Sequence, residues 1–299
     1  MRYLNGFSII FSMIFSALSL PQVAGAECFK SLPINELSSR NVDYFKDLAN
    51  WRPPIKEAKE VKRFLPPGSG VGNMVNIDFY YVIFRKPPDK TLAELFKDIR
   101  LHFGEFARGA TSDYDFQPYG KLFEVSAYSE ENRKKWESDN PTGALMSFKL
   151  DTQFANPKTF AQKVGYKVVR TFKFAHPWGD VQSTCATDTD FVFSTVETVR
   201  GYTHPVAGNR GFGIRDAGNG NWIFYSKAVD RESDSYYNKA APKSVFCHGH
   251  LFWLDFYSNV KNYLNSHGMP VQSVVTTNRG IVWWPFRSNE PPPNEPSCG

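Results

Sequence analysis

Val75 to Phe84 alternates in polarity, with Val75, Ile77, Phe79, Tyr81 and Ile83 on one face, and predicts a strand. After it, Thr91 with Glu94 three residues on makes a capping box. Leu92, Leu95, Phe96, Ile99, Phe103 and Phe106 then recur at spacings of three and four, so a helix with one apolar stripe runs to a stop at Gly109. Leu122 to Tyr128 and Ala144 to Leu150 read as strands around a short polar helix, Glu130 to Trp136, capped by Ser129. Pro157 to Phe160 opens another helical turn. From there the pattern is β-rich: Tyr166 to Phe174, Phe191 to Val199, Gly211 to Arg215 and Trp222 to Val229. Gly218-Asn219-Gly220-Asn221 has the composition of a hairpin connection between the last two. A second helix spans Gly249 to Ser266, with Trp253, Phe256, Tyr257, Val260, Tyr263 and Leu264 as its stripe and Gly268 and Pro270 at its close. A final hairpin is expected from Val271 to Thr277 and Ile281 to Phe286, turning at Asn278-Arg279-Gly280.

Upstream, Ile55 to Arg63 lies between Pro53-Pro54 and Pro66-Pro67, and Ile55, Ala58 and Val61 share a helical face. The Gly68-Ser69-Gly70-Val71-Gly72-Asn73 stretch precedes a strand instead of following one, so it is a flexible turn and not a dinucleotide fingerprint. Helices and strands do not alternate regularly. The expected class is α+β: a mostly antiparallel sheet packed against the long C-terminal helix and the second amphipathic helix. The expected division is 1–26 signal peptide, 27–74 irregular N-terminal region, 75–286 one α+β domain and 287–299 Pro-rich tail.

The 299 residues are 41% hydrophobic and 16% aromatic, which excludes a disordered polymer. The net charge of +5 comes without a basic block, so nucleic acid is not an expected partner. Arg2 is the only charge in the first 26 residues, an apolar run extends from Phe7 to Leu20, and Ala24-Gly25-Ala26 places small residues at −3 and −1. This reads as a secretory signal cut before Glu27, with no membrane span after it and a secreted or periplasmic protein as the product. Cys28, Cys185, Cys247 and Cys298 then suit an oxidising compartment and allow three pairings. The expected pairs are Cys185–Cys247 within the fold and Cys28–Cys298 tying the ends. No Asn-x-Ser/Thr sequon is present.

One stretch points to a family. Thr203-His204-Pro205-Val206-Ala207-Gly208-Asn209-Arg210-Gly211-Phe212-Gly213-Ile214 is followed by a hairpin strand, Asp230-Arg231 and a long helix holding Phe252-Trp253. This order resembles the C-terminal half of helix-grip domains, the START-like or Bet v 1-like superfamily, although Thr203 stands where some members have glycine. The resemblance covers about residues 166–268. It implies a curved antiparallel sheet gripping the last helix around a cavity that takes lipids or other apolar molecules; some such proteins are enzymes.

Three functions follow as expectations. The first is an exported protein binding an apolar or amphipathic small molecule, with Trp253, Phe256 and Tyr257 lining the pocket and His204 and Arg210 at its mouth. Arg210, Arg215, Asp230 and Arg231 flank one hairpin and could hold an anionic head group. The second is an exported hydrolase-type enzyme or toxin, with His204 or the His248/His250 pair working with Asp230 or Asp255; the two imidazoles could also hold a metal. The third is a cell-envelope interaction module using exposed aromatics and the Pro-rich tail. No cofactor is expected. Gly-x-Ser-x-Gly, His-Glu-x-x-His, Walker A and Cys-x-x-Cys patterns do not occur.

Overall fold

The structure, a computed structural model, describes residues 27–37, 41–107, 121–152, 178–200, 204–233 and 244–286. The expected signal peptide, the 157–160 turn, the 166–174 strand, the Gly109 stop, the tail with Cys298, and the side chains of Cys247 and His248 lie outside this set.

Among the described residues nine antiparallel strands form one curved sheet: β1 (Val61–Phe64), β2 (Met74–Arg85), β3 (Lys121–Ala127), β4 (Leu145–Thr152), β5 (Trp178–Ala186), β6 (Asp190–Thr198), β7 (Val206–Gly218), β8 (Asn221–Glu232) and β9 (Val271–Trp283). Their spatial order is β3-β4-β5-β6-β7-β8-β2-β9, and β1 adds to β6. The α-helices among the described residues are α1 (Lys46–Ala49), α2 (Leu92–Leu101), α3 (Phe103–Ala107), α4 (Glu130–Glu137) and α5 (Ser244–Ser266). The fold is thus α+β, with a long C-terminal helix laid across the sheet. Among the described residues no helix is long and apolar enough to cross a membrane.

The capping box of Thr91 and Glu94 starts α2 as the pattern predicts. The apolar stripe continues past a break at His102 into α3. It meets α5 in an aromatic core on the concave face. Phe103 lies 4.8 Å from Phe256 and 5.3 Å from Phe212, and Phe191 stacks on Phe212 at 4.9 Å. Such ring pairs add directional attraction to the burial of apolar area. Polar contacts hold the helices in register: Asn259 Nδ2 donates to the Phe106 carbonyl at 2.8 Å, and the Tyr263 hydroxyl donates to Asp98 at 2.5 Å.

The convex face is covered too. Val75, Ile77 and Phe79 of β2 pack with Phe29, Leu32, Phe45 and Leu48 from the N-terminal segment. This segment is tied to β5 by a Cys28–Cys185 disulfide. That bond corrects both expected pairings. Cys28 belongs to a strap across the back of the sheet, so it meets β5 there and leaves neither Cys185 for Cys247 nor itself for Cys298.

Two further expectations give way. Residues 55–63 form no helix; Val61–Phe64 is β1, paired with Val196 to Thr198. β7 pairs with β6 only through Ser194, so the edge beyond is open. A helix of nine residues has too little internal stability to compete with that ladder. Likewise the final hairpin is one strand, β9, in which Asn278, Arg279 and Gly280 pair with Phe79, Asp78 and Ile77. A turn there would leave half of the β2 edge without hydrogen bonds.

Lys227, on the convex side of β8, has no exposed side-chain surface. Its ammonium reaches both oxygens of Asp47, at 2.8 and 2.9 Å, and the Tyr44 carbonyl at 2.7 Å. Burial lowers its pKa against the pull of Asp47. Removing one partner of such a pair strands a charge in a dry site. Asp47→Ala is expected to cost about 3 kcal/mol or more, read as a lower denaturant midpoint; a loss below about 0.5 kcal/mol, the size expected at a solvated surface position, would show that the strap does not depend on this pair.

Candidate functional site

The concave face changes character at one end of the sheet. Along β2, Asn76 and Asp78 share the side of Tyr80, Val82 and Phe84, because strand residues alternate. Along β7 the same side carries Gly208, Arg210 and Phe212, and along β8 it carries Ser226, Ala228 and Asp230. Register aligns these rows. Ala228 pairs with both Arg210 and Asp78, and Asp230 pairs with both Gly208 and Asn76. Arg210 and Asp78 therefore stand two strands apart, about 10 Å between backbones. The small Ala228 between them lets the guanidinium cross.

It crosses to meet both oxygens of Asp78 at 2.8 Å and Asp230 at 3.5 Å. Nη1 also donates to Ser226 Oγ at 3.4 Å. The guanidinium lies 4.1 Å from the Trp253 ring of α5 and 5.8 Å from Tyr80, within reach of cation–π attraction. Asn76 Nδ2 donates to Asp78 at 3.0 Å, and the Tyr80 hydroxyl is 2.9 Å from His250 Nδ1. Gly208 is required by proximity: a Cβ there would come within 2.2 Å of an Asp230 carboxylate oxygen.

Burial opposes the charge of Arg210, but Asp78 and Asp230 outweigh it and raise its pKa. Asp230 behaves oppositely. Burial pushes its pKa up to about 7; Arg210 pulls it down and Asp78 adds repulsion. Two carboxylates face one cation, and Asp230, with 14% of its side chain exposed, is the member that reaches solvent. Two residues on, Glu232 is 3% exposed, and neither carboxylate oxygen has a hydrogen-bond partner. Burial raises its pKa to about 7 as well.

Of the expected site residues, Arg210, Asp230 and Trp253 come together, and His250 joins them through Tyr80. Phe256 and Tyr257 have no exposed surface and pack within the aromatic core beside Trp253. His204 sits elsewhere: its Nδ1 is 3.0 Å from the Val206 carbonyl, and its ring packs over Gly179 of β5. Burial lowers its pKa to about 4, so it is neutral at pH 7. Among the described residues it forms no hydrogen bond or ion pair with Asp230. Among the described residues no group of three His, Cys, Asp or Glu side chains is arranged for a metal. Asn76, Asp78 and Tyr80 were not read from the sequence as site residues. Their signal was present as two polar residues on one face of an otherwise apolar strand. A separate cleft of about 350 Å³ lies between residues 55–60 and α4, lined by Lys56, Lys59, Glu131 and Gln182 among others.

No protein-family model matches the chain, and no curated protein matches it. Solved structures similar to it include a conserved protein from Geobacillus kaustophilus, 7% identical over 68% of this chain and 99% of that one, with a TM-score of 0.35. Ara h 8.0201 is 9% identical over 64% and 99%, with a TM-score of 0.35. Norcoclaurine synthase from Thalictrum flavum is 9% identical over 68% and 98%, with a TM-score of 0.31.

The raised carboxyls fix a pH dependence. Between the ordinary aspartate value of 3.8 and about 7, the folded state holds a proton on Asp230 that the unfolded state releases. Stability therefore falls as pH rises through that window. Asp230→Asn should make the fall shallower, and adding Glu232→Gln should flatten it further, with urea midpoints from pH 4 to 8 as the measurement. An unchanged slope in the double variant would refute the assignment.

Proposed function

We propose that the chain is an exported protein that binds an amphipathic small molecule at the concave end of the sheet. The observation carrying this reading is the buried cluster of Arg210, Asp78 and Asp230 against Trp253. Buried charge beside an aromatic core costs stability, and perturbed groups at an accessible edge are candidates for function. Arg210 already engages Asp78 with both terminal nitrogens, so it is not a free fork for an anionic head group. Asp230 is the open acceptor. A ligand that donates hydrogen bonds or carries a positive charge suits it, with its apolar part against Trp253 at the aromatic core of Phe256 and Tyr257. Export is supported by the small residues before Glu27 and by the Cys28–Cys185 bond.

A second reading, an acid–base enzyme, is favoured by one feature: burial lifts the pKa of Asp230 to about 7 at the edge of the charged cluster that reaches solvent. In that reading Asp230 exchanges the proton and Arg210 holds its charge.

Calorimetry with a long-chain primary alkylammonium and with the carboxylate of equal length tests the first reading. The amine should bind, the carboxylate should bind at least tenfold more weakly, and Asp230→Asn should weaken amine binding about tenfold. Equal binding of both probes, no binding of the amine, or an unchanged affinity in Asp230→Asn refutes it.

A further inference from the structure

Asp190 opens β6 under the N-terminal strap and is 4% exposed. Its Oδ1 accepts the backbone N–H of Cys28 at 3.0 Å. Cys28 is fixed at that spot by its bond to Cys185 on the neighbouring strand β5. Burial raises the pKa of Asp190 to about 6, against the hydrogen bonds from Cys28 and Thr187. The charged and titratable groups around it do not neutralise it. Glu27, on the strap, adds repulsion. Tyr225, from β8, is itself pushed up to about 12, mainly by burial. Arg215, from β7, donates to the Leu32 carbonyl, and its charge bears on Tyr225 and Glu27. Among the described residues no Lys or Arg side chain forms an ion pair with Asp190.

The missing cation has a source one residue away. Hydrolysis of the Ala26–Glu27 peptide bond adds one water, leaving a carboxylate on Ala26 and an α-ammonium on Glu27. Consecutive backbone nitrogens are at most about 3.7 Å apart. With Cys28 N already 3.0 Å from the carboxylate, the new ammonium starts within about 7 Å of it. As a chain terminus it can turn inward without moving Cys28. In the uncut chain the same nitrogen is a neutral amide bearing the leader.

We infer that cleavage before Glu27 completes an ion-pair site, with the new α-ammonium as the counter-ion of Asp190, so that only the processed chain has its N-terminal strap locked at both the disulfide and the terminus. The ammonium is charged at pH 7 in any case, its ordinary pKa being about 8. The inference rests on the export part of the proposed function and not on its ligand site, so a failure of the ligand test leaves it standing and a different mature start leaves the ligand test standing.

The test uses exported, full-length mature protein. Intact mass should give a chain starting at Glu27. Selective Nα-acetylation should lower Tm at pH 7 by about 2–4 °C, and it should have no such effect in Asp190→Asn. A carboxyl-detected NMR titration should give an Asp190 midpoint below about 6 with the free amine, and a higher one after acetylation. A different mature start, a Tm insensitive to acetylation, or an equal loss in Asp190→Asn overturns the inference. If Asp190→Asn does not fold, the NMR titration of the unsubstituted protein decides, and a midpoint that ignores acetylation overturns it.

Discussion

The central strands of this sheet are dry on both sides. α5, α2 and α3 cover one face and residues 27–37 and 41–51 the other, so β2, β7 and β8 have almost no exposed side chains along most of their length. A charge on these strands must be met inside the protein, by a counter-charge, by hydrogen bonds or by a proton, because water is not there to solvate it. Arg210 and Lys227 meet that demand with carboxylates on opposite faces, almost back to back. Arg210 pairs in register with Ala228, next to Lys227.

The two solutions differ in a way that separates structure from function. Lys227 is saturated: one aspartate and backbone carbonyls enclose its ammonium. Nothing remains for a ligand, and the pair fastens strap to sheet. Arg210 faces two aspartates, so one negative charge stays in excess whenever both are ionised. Protonation of Asp230 relieves the excess, which is why burial and Asp78 lift its pKa. A donor from outside would relieve it equally well. The same physical constraint thus yields a closed lock on one face and an unfinished site on the other.

How much of this could be read in advance depended on whether buried positions were apolar. β2, the α2 capping box, the α5 stripe and the Asn219-Gly220 turn, both of whose residues take positive φ, follow from periodicity and turn chemistry. β5 escaped because its buried positions are polar. Asp180 accepts from Ser147 and Thr198 at 2.7 Å, and Thr184 lies 3.1 Å from Ser194 Oγ, so a strand buried from Gly179 to Thr184 has a loop's composition. The same disguise hid Asn76 and Asp78. Asp78 is compensated by Arg210 two strands away, which only the register reveals, and Asn76 donates to Asp78. β1 and β9 were misread for a different reason: local helix and turn signals yielded to open sheet edges, which no local pattern can report.

β7 shows how the site and the strap are accommodated together. Its glycines yield space on both faces. Gly208 yields space to Asp230 on the concave side. On the convex side a Cβ at Gly211 would lie 2.4 Å from the Phe29 ring, and one at Gly213 would lie 2.5 Å from the Tyr225 hydroxyl. Glycine normally weakens a strand. At Gly208, Gly211 and Gly213 the missing side chain is replaced by a neighbour: the Asp230 carboxylate of the charged cluster, the Phe29 ring of the strap and the Tyr225 ring of β8. Phe29 follows Cys28 directly, so the residue that needs Gly211 is positioned by the disulfide to β5. The strand carrying Arg210 is therefore packed by the N-terminal segment on the face opposite the site, and the geometry of the charged cluster depends on a strap that the disulfide holds in place.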